Sequence, residues 1–292
     1  MKFPLKFLTC LSLIYTSGVS HSGSVYAIDF SQIKHLKTVE EFNRALPRSD
    51  LRTLLEKIKN GQNVIFTKFG DGENFCMSGA TGANCDGDSY NPWLSKALRK
   101  SLSELTLKKN VFLGLWGTPF PYDPNNNIYR YFESLLVDIH GHTQLPAEFV
   151  CYNLMINDDE FYRHPYMHEF VEFLQKTDRK KILICNQNNA SLSSFLKVDH
   201  LITLPGKNWS LNYELYKQKL LDQIEKDAIV IIGGGMCSKV LINDITNTHE
   251  VTFLDIGCSF DFLSTKKRSR AFNHSLDVEL DYYRDLMPKA YE

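Results

Sequence analysis

Two carboxylates one residue apart, Asp71 and Glu73, follow a β-branched and aromatic run in the stretch FTKFGDGENF, residues 66–75. Gly70 and Gly72 break the run at the point where the acids appear. A pair of acids at the open end of a strand offers hard oxygen donors of the kind that Mg²⁺ or Mn²⁺ takes together with water and substrate phosphates. Such an ion neutralises the charge of a departing nucleoside diphosphate. The same acids could instead form an acid/base pair on a glycosidic bond. Their closeness at a single turn favours joint chelation over flanking a bond from opposite sides. A structural alternative stands beside both: Asp71 begins a turn, and Glu73 is an early-helix acid favoured by the helix dipole.

Further polar residues occur where strand-like runs end. Gly233, Gly234 and Gly235 follow Ala228 to Ile232, Asn186 to Asn189 follow Lys181 to Cys185, and Pro205 to Asn208 follow Leu201 to Leu204. Asp255 and Asp261 follow the run from Val251. The glycines could let backbone N–H groups approach a diphosphate at a helix N-terminus, or could simply allow close packing. They match neither the dinucleotide fingerprint nor a P-loop. Lys239 reads as a phosphate contact or as a solvated helix lysine. His140 and His142 lack metal-binding partners, Pro165 separates His164 from His168, and no serine-nucleophile elbow is present.

The elements that must position these residues alternate along the chain. Helical periodicity covers residues 38–60, 93–107, 128–141, 165–177 and 211–225, with Pro92 opening the second of these. Strand-like runs occupy 63–69, 111–115, 149–152, 181–185, 201–204, 228–232 and 251–255, and residues 79–92 form a polar loop. Several strands are continuous apolar runs, the mark of strands buried on both faces. The expected fold is a single α/β domain: a largely parallel, Rossmann-like sheet with helices on both faces. In such a sheet, ligands bind outside the carboxyl ends of the strands, where the polar residues above collect.

The 292 residues, 43% hydrophobic and 23% charged, are those of an ordinary globular protein with length enough for a core. A formal net charge of −1 gives no electrostatic case for nucleic acid. Residues 1–27 have the basic start, short apolar stretch and A-x-A-like end of a secretory signal peptide, with Val25-Tyr26-Ala27 before the expected cleavage point. That places residues 28–292 in an exported or lumenal setting: ER or Golgi lumen, periplasm or outside the cell. A retained leader would be a membrane anchor, and a leader that is no signal would leave the chain cytoplasmic. Seven cysteines are present, six of them after the leader. Cys76 and Cys85 could close a small loop, whereas Cys151, Cys185, Cys237 and Cys258 read equally well as small buried hydrophobes.

Taken together, these motifs resemble the GT-D-type glycosyltransferases. VIFTKFGDGE, from Val64 to Glu73, is similar to that family's hydrophobic strand followed by R-F-G-D-G-E, with Lys68 in place of the arginine. Pro205 to Trp209 resembles its P-x-x-N-aromatic turn, IIGGGMCSKVLINDI its glycine-rich turn and "KVL" helix, and LDIGCSFDF its "DIG…D" ending. The resemblance spans roughly residues 50–262. It implies transfer of a sugar from a nucleotide-sugar donor, UDP-linked in expectation, to a glycan or glycoprotein acceptor. It places Mn²⁺ or Mg²⁺ on Asp71 and Glu73, with Phe69, Gly70 and Gly72 shaping their turn. Gly233, Gly234 and Lys239 would line the donor pocket, with Asn208, Asp255 and Asp261 as further contacts. A non-catalytic binding protein for a glycan or nucleotide, and a phosphoester or glycoside hydrolase on the same acidic turn, are the alternatives from other classes.

Overall fold

A computed structural model of the chain describes residues 51–115, 148–151, 165–260 and 264. The leader, the run 128–141, Asp261 and the basic run after it lie outside these residues. Among the described residues, no helix is long and apolar enough to cross a membrane.

Seven described strands form one sheet: β1 (Ile65–Phe69), β2 (Val111–Leu115), β3 (Glu148–Cys151), β4 (Lys181–Asn186), β5 (His200–Leu204), β6 (Ile229–Gly233) and β7 (Thr252–Asp255). Their order is β3-β2-β1-β7-β6-β4-β5, and every pairing is parallel. The fold is thus the α/β architecture expected from the continuous apolar runs. Successive residues of a strand point to opposite faces, and here both faces are covered.

One face packs on α2 (Asp71–Met77), α3 (Pro92–Thr106), α6 (Tyr213–Leu221) and α7 (Cys237–Thr246). Ile65, Val111, Ile184, Ile232 and Phe253 are among its strand residues. The other face packs on α1 (Leu51–Lys59), α4 (Pro165–Lys176) and the single turn α5 (Leu192–Phe195) through Phe66, Phe112, Leu183, Ile231 and Leu254. The helix α3 shows how sequence sets an element. Asn91 Oδ1 accepts the Leu94 N–H at 2.8 Å, Pro92 occupies the first turn, and Leu94, Leu98, Leu102 and Leu105 form one buried stripe.

The expected helix 211–225 is shorter at both ends, with its last helical residue at Leu221. Trp209–Asn212 form a 3₁₀ turn, and α6 begins only at Tyr213. Asn208, with a left-handed backbone (φ 54°), stands immediately before that turn. Of the expected helix 38–60, the described part is α1. The acidic turn is itself a short helix, α2, which the sequence showed only through its first-turn acids.

Candidate active site

β1 leaves the sheet through Gly70 into α2, β6 through Gly233–Gly235 into α7, and β7 lies between β1 and β6. Residues at or just after three adjacent strand ends therefore meet. Their junction is a buried ion cluster. Lys239 Nζ lies 3.0 Å from Glu73 Oε1 and 3.0 Å from Asp255 Oδ2, and it donates to the Gly235 carbonyl at 3.1 Å. Asp255 Oδ2 also accepts the Thr67 hydroxyl at 3.3 Å. Glu73 Oε2 accepts the Gly70 N–H at 2.8 Å, reaching back from the third position of α2 as a capping glutamate does.

Lys239 is 3% exposed, Glu73 6% and Asp255 0%, so these charges are sealed from solvent. Burial alone would lower the Lys239 ammonium, but the Asp255 and Glu73 carboxylates beside it raise it well above the ordinary lysine range. It is a fixed cation. Lys68 is buried next to the same cluster. Burial lowers its ammonium, and the Asp255 carboxylate opposes that shift. Gly257 makes room for it, since a Cβ there would lie 2.6 Å from Lys68 Nζ.

Asp71 differs from Glu73. It sits at the start of α2 and is partly exposed. The two acids of the D-x-E pair thus face different surroundings, Asp71 partly exposed and Glu73 buried. Phe69, fully buried, and Gly70 anchor the turn beneath them. Gly72 packs against Asn84, whose Cβ would be 3.1 Å from a Cβ at 72.

The glycine turn is a three-way contact. A Cβ on Gly233 would meet the Gly257 carbonyl at 2.9 Å, and one on Gly234 would meet Leu204 and Ser238 at 2.8 Å. One on Gly235 would meet Asp88 Oδ2 at 2.8 Å. The Gly234 carbonyl accepts the Trp209 indole N–H at 2.6 Å. Asn208 is drawn in as well: its N–H donates to Asp88 Oδ1 at 2.7 Å, and its Oδ1 accepts the Ser89 N–H at 2.7 Å. The loop 78–91 is thereby stapled to the turn after β5 and lies over the glycines.

Sequence reasoning singled out Glu73, Lys239, Asp255, Gly233, Gly234 and Asn208, and the fold brings all six to this junction. Asp261 lies outside the described residues. Lys239 is neither of the two things its sequence suggested, because it is buried and its ammonium is fully engaged by protein. Asp88 was missed. Its only signal was membership in an Asn-, Asp- and Gly-rich loop, but it stands over Gly235, and burial raises its carboxyl above the usual range. Cys76 is a buried free thiol, so the loop closure with Cys85 considered above is not formed.

Among the described residues no three His, Cys, Asp or Glu side chains cluster as a complete metal cage. A partly exposed carboxylate such as that of Asp71 still fits Mg²⁺ or Mn²⁺, which often takes only one or two protein carboxylates and completes its shell with phosphate and water.

These features define a doubly wound α/β protein whose polar site lies at the carboxyl ends of its central strands. No family model and no curated protein matches the chain. Solved structures do. The domain of unknown function 1792, solved as its selenomethionine form, aligns with a TM-score of 0.55 at 18% identity, over 88% of this chain and 97% of that one. A structure described as a highly conserved domain of unknown function 1792 with a distinct glycosyltransferase fold aligns with a TM-score of 0.54, also at 18% identity and over the same shares of the two chains. A glycosyltransferase of that type from Streptococcus sanguinis aligns with a TM-score of 0.52 at 17% identity, over 81% of this chain and 92% of that one. The chain therefore has this glycosyltransferase-type fold, as the resemblance read from GDGE implied.

Proposed function

We propose that the protein is a metal-dependent glycosyltransferase that moves a sugar from a nucleotide-sugar donor, UDP-linked in the first instance, to a glycan or glycoprotein acceptor. The observation that carries this reading is the junction of the acidic turn and the glycine turn. Glu73 and the Gly235 carbonyl share one lysine, which brings an acid-bearing helix start beside a backbone turn suited to an anion.

The backbone supports the second half of that pairing. The Gly234 and Gly235 carbonyls are tied back to Trp209 and Lys239. In a trans peptide the N–H points opposite to its carbonyl, so the Gly235 and Met236 N–H groups are directed away from those partners. Successive N–H groups at a helix start form a concavity for phosphate oxygens. Asp71, the partly exposed acid of the turn, would hold the divalent ion. A bound Mn²⁺ or Mg²⁺ would supply charge neutralisation to the leaving diphosphate. Asn208, through Asp88 and Ser89, fixes the loop that walls the crevice, while Gly233 and Gly234 keep its floor thin.

Calorimetric titration of UDP and of GDP into the full chain, with Mn²⁺ and with EDTA, tests this reading. The expected result is binding that requires the ion and is lost in Asp71→Asn, followed by sugar transfer instead of hydrolysis on product analysis. Folded wild-type protein that binds neither nucleotide with Mn²⁺ present would overturn it.

A further inference from the structure

The resemblance read from the sequence puts the metal on Asp71 and Glu73 together, but the geometry here separates the two acids. Both Glu73 oxygens are engaged by protein, one by the Gly70 N–H at 2.8 Å and one by Lys239 at 3.0 Å, and the residue is 6% exposed. A lysine ammonium has three N–H donors. Those of Lys239 meet Glu73, Asp255 and the Gly235 carbonyl, within 3.0–3.1 Å. None remains for a phosphate, and Lys239 is itself buried.

We infer that Glu73 and Lys239 are positioning residues: with Asp255 they form a buried strut that fixes the acidic turn against the glycine turn, leaving Asp71 alone to face the metal and donor. The strut connects residues following β1 and β6 with the last residue of β7, three neighbouring strands that arrive from distant parts of the chain. Its role is to set where Gly70 and Asp71 stand relative to Gly235. The part concerning metal rests on the functional reading above, whereas the strut itself does not.

The two assignments of Glu73 predict opposite signs for one substitution. If Glu73 were a metal ligand, Lys239 would compete with the ion, and Lys239→Met would tighten Mn²⁺ binding. If Glu73 is a strut, the same change loosens the turn and weakens Mn²⁺ binding by about 10–100-fold, the usual effect of losing a supporting partner.

The experiment therefore titrates Mn²⁺ with UDP into full-length wild type, Lys239→Met and Lys239→Arg, and follows Gly70 amide exchange by NMR in each. Expected are weaker Mn²⁺ binding and faster Gly70 exchange in Lys239→Met, with Lys239→Arg recovering part of both. Tighter Mn²⁺ binding in Lys239→Met, or unchanged Gly70 exchange, overturns the strut. If wild type binds no Mn²⁺–UDP, the functional reading fails, and Gly70 exchange alone still decides the strut. Lys239→Met leaves two buried carboxylates without this cation. Lys239→Met/Asp255→Asn, which leaves Glu73 as the carboxylate deprived of it, repeats both measurements should the single variant fail to fold.

Discussion

Two glycines with the same backbone sign illustrate how much a single position depends on what stands opposite it. Gly61 (φ +75°) and Gly235 (φ +63°) both occupy the left-handed region, which costs an L-residue about 1–2 kcal/mol. A methyl group at 61 would enter open space, whereas one at 235 would lie 2.8 Å from Asp88 Oδ2. Gly61→Ala is therefore expected to destabilise by about 1 kcal/mol, the backbone strain alone. Gly235→Ala adds displacement of Asp88 and should destabilise by about 2–3 kcal/mol, with the difference read from urea midpoints at constant m-value. Equal losses at the two positions would mean that the Asp88 contact constrains nothing. The buried charges obey a related rule. Glu73, Asp255 and Lys239 are tolerated inside because each is paired and hydrogen-bonded, and removing one partner strands the others.

At the level of elements, the loop 78–91 has little apolar content to hold it and depends on polar staples. Asn208 contributes two of them, its N–H to Asp88 and its Oδ1 to Ser89, from a left-handed conformation that asparagine tolerates well. Asn208→Gly keeps the backbone geometry and the N–H but loses the side-chain bond. The expected cost is about 1 kcal/mol, with faster proteolytic cleavage within 78–91 and α3 unaffected. Cleavage at the wild-type rate would show that the loop is held by something else. This loop also marks where sequence reading stopped. The strands were legible because burial on both faces writes itself as continuous runs such as Ile229–Ile232. The start of α3 was legible at Pro92, just after the capping Asn91. Asp88 was not, because its importance comes from a partner 120 positions away, and no local pattern encodes that. Lys239 was found as a residue but misread in its surroundings: its charge suggested solvent or phosphate, while two carboxylates from other elements make an interior place favourable. The GDGE run was readable as a candidate site, but the different exposures of its two acids appear only in three dimensions.

Considered whole, the molecule depends on β7. This four-residue strand pairs with β1 on one side and β6 on the other, and Phe253 and Leu254, both fully buried, enter opposite cores. Phe253→Ala should cost about 3–5 kcal/mol, a large part of the 5–15 kcal/mol typical of a domain. Because one sheet joins all the described strands, circular dichroism and tryptophan fluorescence are expected to report the same lowered urea midpoint. Two separated transitions would instead show that the sheet comprises independent halves. The position of β7 also has a consequence in time. A ribosome releases β1 and its acidic turn about 180 residues before Thr252, and until then β1 has no neighbour on its β7 side. Exposed strand edges and long-range parallel pairing are slow and hazardous features of nascent chains. Glu73 meanwhile has neither Lys239 nor Asp255 within reach. A newly made chain would thus carry its acidic motif early but hold it in working order only after the last described strand slots between the other two, making the completion of folding the event that switches the site on.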